Sequence, residues 1–236
     1  MKILAFESTA KVASVALTDG ERLLALYQSD SGRTQSEVLL PMAEHVLATH
    51  RMTVDDIDLL AVTEGPGSFT GVRIGVATVK GLAFGRDIPC VGVSTLRSLA
   101  ENLKEQDGIV CAAMDARRAQ VYNAIFRAEG GVITRLTEDR AISVDDLIRE
   151  LSSYDEPIRL VGDGYAQVEQ AAVSVGLPLS PVSALLRDEN AYACACVAYR
   201  MYLGGSHGSD RELCATYLRL PQAERERLER LKMQED

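Results

Sequence analysis

The run Glu64-Gly65-Pro66-Gly67-Ser68-Phe69-Thr70-Gly71-Val72-Arg73 is the stretch best equipped for chemistry. It joins an apolar, strand-like run ending at Thr63 to a helix-like run from Ile74 to Phe84. A glycine loop that feeds a helix start presents free backbone N–H groups, which attract anions. On that reading Gly67, Ser68 and Thr70, with Arg73, would cradle a phosphate. The competing reading is a tight turn packed against the end of the first strand. Pro66 removes one donor, and the Gly-Lys-Ser/Thr ending of a phosphate-binding loop is missing, so packing is favoured. Glu7-Ser8-Thr9, at the end of the first strand, offers a carboxylate and two hydroxyls. No glycine follows, and a Cβ there crowds the approach of phosphate to backbone. Glu7 is therefore read as a carboxylate that orders Ser8, Thr9 and the 65–71 loop. Asp115-Ala116-Arg117-Arg118 lacks glycine in the same way, whereas Gly162-Asp163-Gly164 keeps it, so Gly162 and Gly164 could touch an adenosine.

Other chemistry has less to build on. Ser68 follows a glycine, but no Gly-x-Ser-x-Gly elbow is present and no pattern brings a histidine to it. His45 and His50, five apart on one predicted helix, splay away from each other. The five cysteines are scattered with no Cys-x-x-Cys pair, so neither a disulfide framework nor a thiolate metal site is indicated, and a reducing cytoplasm is the simplest home.

The elements that must position these residues follow a repeated order. Strands are predicted at 2–7, 11–18 and 22–29, with Asp19-Gly20 as a hairpin turn. Thr34 and Glu37 have capping-box spacing ahead of a helix from about Gln35 to His50. A strand at 58–63, a helix at 71–85 and a short strand at 90–93 complete the first half. The second half reads as strands at 108–114, 120–127 and 132–136, a helix capped at Ser143, a strand at 158–161 and a helix over 165–175. Each half is β-β-β-α-β-α. That layout, present twice, is the α/β duplicated ribonuclease-H-like fold used by actin, Hsp70 and sugar kinases, whose cleft binds nucleotide. The units are placed at 1–104 and 105–221. Helix 189–203 is expected to pack back toward the first unit, and 222–236 is read as a charged tail.

The first helix carries apolar residues around most of its circumference: Val38, Leu39, Leu40, Met42, Ala43, Val46 and Leu47. Such an arc is wider than one buried face requires. The second helix holds Gly71, Gly75 and Thr78 near one face, and interior glycine costs about 1 kcal/mol relative to alanine. Together these features predict a docking surface for a partner helix pair, made of Val38, Leu39, Met42, Val46, Gly71, Gly75 and Thr78.

With 236 residues, 47% hydrophobic and 25% charged, the composition is that of an ordinary globular protein with a sizeable core. No run is long enough for a membrane span. A net charge of −9 argues against holding nucleic acid unaided.

Several stretches taken together resemble the TsaB (YeaZ) family: Ile3 to Thr9, Ser36 to Pro41, the long motif Gly65 to Gly75, Lys80-Gly81-Leu82-Ala83, Asp115-Ala116-Arg117-Arg118 with Val121-Tyr122, and Tyr217-Leu218-Arg219. The resemblance runs from Met1 to about Pro221. Glu7 stands where the family more often has Asp, and Gln35 near where it often has His. The resemblance implies a non-catalytic subunit that activates its paralogue TsaD. TsaD transfers threonylcarbamoyl from threonylcarbamoyl-adenylate to adenosine 37 of tRNA, and the ATPase TsaE joins the pair. Metal and ATP are then expected on the partner subunits, with no cofactor on this chain. The helix pair would be the interface with TsaD or with a second copy, and tRNA would be met only through the complex. TsaD binds its metal with a His-x-x-x-His pair after a Gly-Val step; Thr95 and Leu99 occupy those places here. The rival readings are an ATP-dependent phosphotransferase or ATPase with Glu7 as its acid, and a protease acting on TsaD.

Overall fold

The computed structural model describes residues 1–219, so Pro221 and the charged segment 222–236 lie outside the described residues. The first sheet is built from β1 (Lys2–Glu7), β2 (Ala13–Asp19), β3 (Arg22–Ser29), β4 (Leu59–Gly65) and β5 (Cys90–Ser94), in the order β3-β2-β1-β4-β5. β1, β2 and β3 form an antiparallel meander, and β4 and β5 add in parallel. Helices α1 (Gln35–Thr49) and α2 (Phe69–Ala83) cover one face. The Glu37 carboxylate accepts from the Thr34 N–H (2.9 Å) and hydroxyl (2.7 Å), which fixes the start of α1.

A short helix, α3 (Thr95–Glu101), leads into the second sheet. Its strands are β6 (Gly108–Asp115), β7 (Gln120–Glu129), β8 (Val132–Arg135), β9 (Arg140–Ser143) and β10 (Ile158–Val161). The order is β10-β6-β7-β8, with β9 also on β7. The single third strand expected at 132–136 is thus two pieces on the same edge of β7, parted at Leu136–Asp139. Thr137 explains the break: its hydroxyl accepts the Ile125 N–H (2.8 Å), replacing a ladder bond. Helices α4 (Val144–Leu151), α5 (Tyr165–Val175) and α6 (Ala191–Leu203) complete the chain's regular elements among the described residues.

Period-two alternation explains why the central strands are apolar throughout. In β1, Leu4 and Phe6 face α1 and α2, while Ile3 and Ala5 face α6. In β6, Val110, Ala112 and Met114 face α3, and Ile109, Cys111 and Ala113 face α4 and α5. Two helices are therefore exchanged: α3 follows the first sheet but packs on the second, and α6 follows the second sheet but packs on the first. They touch between the sheets, where Glu101 of α3 pairs with Arg200 of α6.

Candidate functional site

The glycine loop is held by the chain's own backbone. Ser68 caps α2 by accepting the Gly71 N–H (3.3 Å), and its own N–H donates to the Thr9 carbonyl (2.7 Å). The Ser8 hydroxyl donates to the Gly71 carbonyl at 2.9 Å. A methyl group at Gly67 would sit 2.6 Å from the Thr9 carbonyl oxygen; at Gly71 it would overlap the Ser8 carbonyl, and at Gly75 the Ser8 hydroxyl. These three glycines let α2 lie directly on the end of β1. Gly65, at φ +115°, lies under the Thr216 carbonyl, where a Cβ would collide.

Glu7 is wholly buried. Its Oε1 accepts the Thr9 N–H and hydroxyl, both at 2.6 Å, while Oε2 has no protein partner. Burial raises its pKa, and the Thr9 bonds offset that only in part. Two further acids gather near it from the second half. Glu189, just before α6, is buried with Oε1 unpartnered, and its pKa is pushed well up by burial, then by the charges of Glu7 and Asp163. Asp163 is raised by burial, although it accepts the Asp115 N–H at 2.8 Å. Sequence reasoning found Glu7 and the Asp163 turn but missed Glu189. The available signal was an acid placed directly before a helix that is apolar on nearly every side.

Between the halves lies a cleft of about 470 Å³. Of the residues expected to form a nucleotide or anion site, Thr9, Gly67, Ser68 and Thr70 line it. Glu7 and Ser8 lie buried beneath it. Gly162 and Gly164 turn elsewhere: a Cβ on either would press on the Ala113 carbonyl, and the Gly164 N–H donates to that oxygen (3.0 Å). Both glycines pack on the end of β6. The opposite wall carries Asp115, Ala116, Arg117, Tyr122 and Asp163, and a third wall is Thr216 to Arg219. At Gly67, Gly71, Gly162 and Gly164 the space that a Cβ would fill is taken by the chain's own backbone. The cleft lining mixes apolar side chains such as Phe69, Met114 and Leu218 with hydroxyls, two carboxylates and the cations Lys11, Arg117 and Arg219, and contains no histidine or cysteine.

The histidines lie outside the cleft. His45 stacks edge-on with Tyr27, His207 does so with Tyr202, and His50 lies 3.1 Å from the Val46 carbonyl. Thr95 and Leu99 are buried in the second core. Among the described residues, no three His, Cys, Asp or Glu side chains come together in a way that could hold a metal.

The expected docking surface needs correction. Leu39, Met42 and Val46 fill the first core, and Gly71 and Gly75 face Ser8, so none of the five is available to a partner. Val38 and Thr78 are half-buried. The large apolar residue that α1 shows to solvent is Leu40, 46% exposed. On α2 the outward residues include Ala77 and Gly81, and nothing lies within 4 Å of a Cβ built at Gly81. The wide apolar arc of α1 arises because the helix sits deep between sheet and neighbouring helix, not because most of it awaits a partner.

Comparison with known proteins matches this architecture. The family described as TsaD: tRNA N6-adenosine threonylcarbamoyltransferase matches residues 29–200. The tRNA threonylcarbamoyladenosine biosynthesis protein TsaB of Bacillus subtilis (strain 168) is 33% identical over 162 residues, 69% of this chain and 71% of that protein. The TsaB protein of Escherichia coli (strain K12) is 36% identical over 152 residues, 64% of this chain and 65% of that one. The solved structure of YeaZ from Pseudomonas aeruginosa superposes with a TM-score of 0.75 at 27% identity, covering 92% of this chain and 99% of that one. With its duplicated sheets, exchanged helices and self-packed glycine loop, this chain belongs to the TsaB (YeaZ) family.

Proposed function

We propose that the chain is the non-catalytic, activating subunit of a complex that makes threonylcarbamoyladenosine in tRNA, and that it pairs with a TsaD-type transferase. The observation that carries this reading is the filled glycine loop. Gly65, Gly67, Gly71 and Gly75 are spent on contacts with Thr216, Thr9 and Ser8, so the loop rigidifies the first half rather than binding phosphate. An ATP-dependent reaction in this cleft has correspondingly less support. The transfer chemistry, the metal and ATP belong on the partner subunits, with a TsaE-type ATPase joining them, and tRNA is contacted through the complex. No helix among the described residues is long and apolar enough to cross a membrane, which is compatible with a cytoplasmic complex.

The docking face we propose is the outer surface of α1 and α2, with Leu40 on α1 and Ala77, Thr78 and Gly81 on α2. Small residues on α2 let a partner helix approach closely, and Leu40 supplies apolar area beside them. The same face would pair two copies when the transferase is absent. Leu40→Glu and Gly81→Leu should abolish co-elution with the TsaD-type partner and reduce tRNA modification by the reconstituted complex at least tenfold. Thermal unfolding of the isolated chain should not fall, since Leu40 is exposed and leucine is the better helix former at position 81. Unaltered co-elution of both variants would overturn the assignment of the face.

A further inference from the structure

We propose that residues 208–219 form a strap that is bolted to the first half and latched to the second by Arg219, and that this latch sets how far the cleft opens. The anchoring to the first half is extensive. The Cys90 N–H donates to the Gly208 carbonyl (2.8 Å), where a Cβ on Gly208 would stand 2.6 Å from the Cys90 oxygen. The Lys80 ammonium donates to the Leu213 carbonyl (3.0 Å), and the Leu213 side chain is buried in the first core. The Thr216 N–H donates to the Glu64 carbonyl (2.7 Å), over the left-handed Gly65. Tyr217 then stacks on Phe69 of α2, ring centroids 4.8 Å apart, with the Arg73 guanidinium 5.0 Å from the Phe69 centroid.

The strap thus runs from the amino end of β5 to the carboxyl end of β4, beside the place where open α/β sheets receive ligands, and continues along the cleft mouth. It reaches the second half at Arg219. The guanidinium donates to the Ala116 carbonyl (2.9 Å) and lies 5.8 Å from the Tyr122 centroid. A polar, charge-assisted contact to one side and a buried, backbone-bonded attachment to the other is the asymmetry of a latch: the weak end yields first. Ala116 and Tyr122 belong to the β6–β7 hairpin that forms the opposite cleft wall, so releasing Arg219 frees that wall without dislodging the strap. The inference concerns domain closure and stands whether or not the proposed partnership does.

The test uses the full chain with Cys214→Ser and spin labels at Glu44→Cys on α1 and Ser174→Cys on α5, both exposed. Arg219→Ala should raise the population at longer label separation at least tenfold, the scale of one hydrogen bond to a charged group. Amide exchange at Ala116 and Gln120 should speed up by a similar factor, while Cys90 and Thr216 keep their protection. Arg219→Lys should fall between the two. An unchanged separation together with unchanged exchange at Ala116 and Gln120 in Arg219→Ala would overturn the latch. Loss of protection at Cys90 and Thr216 in that variant would overturn the claim that the strap stays bolted.

Discussion

The two halves repeat one topology, and in both the loop before the second helix packs on the end of the first strand through glycine, yet they turn their first hairpin differently. In the first, the loop after β4 and the end of β1 meet through glycine: Gly67, Gly71 and Gly75 leave room for Ser8 and Thr9, and β3 runs unbroken from Arg22 to Ser29. In the second, Gly162 and Gly164 pack on the Ala113 carbonyl of β6 in the same way, but the β6–β7 turn takes Arg117, Arg118 and Ala119 through φ values of +65°, +57° and +53°, whereas the β1–β2 turn has no left-handed residue. Its third strand is split into β8 and β9. The split has a use: Asp139, in the gap, accepts the Ser94 hydroxyl of β5 and the Arg135 guanidinium, both at 2.5 Å. The first half is closed on itself, whereas the second spends regularity on reaching across. A duplicated fold thus keeps its central strand order while diverging at its first hairpin and its edge strands.

That contrast breaks most sharply at Gly71. Gly71→Val would drive methyl groups into the Ser8 carbonyl, and overpacking against backbone should destabilise by about 3 kcal/mol or more. Urea unfolding measures this, and a loss under 1 kcal/mol would show that α2 does not need to lie on β1.

The halves also meet through acids, Glu7 from the first and Glu189 and Asp163 from the second. Glu189 has a folded pKa raised above its unfolded value of about 4.5, so its contribution favours folding while it is protonated. That contribution is fully present below about pH 4.5 and is lost as pH rises toward the folded pKa. Glu189→Gln removes the titration. It should raise stability at pH 8 relative to the unaltered chain, with the advantage shrinking as pH falls toward 4.5. Parallel pH–stability curves for the two proteins would show that Glu189 does not carry this burden.

Much of the frame was legible because it rests on local signals. Asp19-Gly20 makes the hairpin, Thr34 and Glu37 start α1, and alternating apolar residues mark the strands. The illegible parts depend on tertiary contacts. α3 is only seven residues long, and its burial depends on a sheet that follows it in sequence. The split of β8 from β9 depends on one threonine hydroxyl bonding to Ile125. At the site, the glycine motif was readable as a tight turn, but its neighbours Ser8 and Thr216 come from 63 residues before Gly71 and 151 after Gly65. The face of α1 open to a partner was misread for the same reason, since a wide apolar arc cannot say which part of it a sheet and a neighbouring helix will claim.

The mildest test of the comparison lies at Ala119. A left-handed backbone costs an L-residue about 1–2 kcal/mol, and glycine escapes this while losing about 0.5–1 kcal/mol of unfolded-state entropy. If the second half simply tolerates strain at its corner, Ala119→Gly should stabilise the chain by about 0.5–1 kcal/mol, read from the urea midpoint at unchanged slope. The Ala119 carbonyl would still accept the Val144 N–H (3.2 Å), so the start of α4 should be undisturbed. A destabilised variant would mean that the Ala119 methyl makes contacts outweighing the strain. The second corner would then be as closely packed as the first, merely by a different residue, and the distinction between a closed half and a reaching half would rest on the split strand alone.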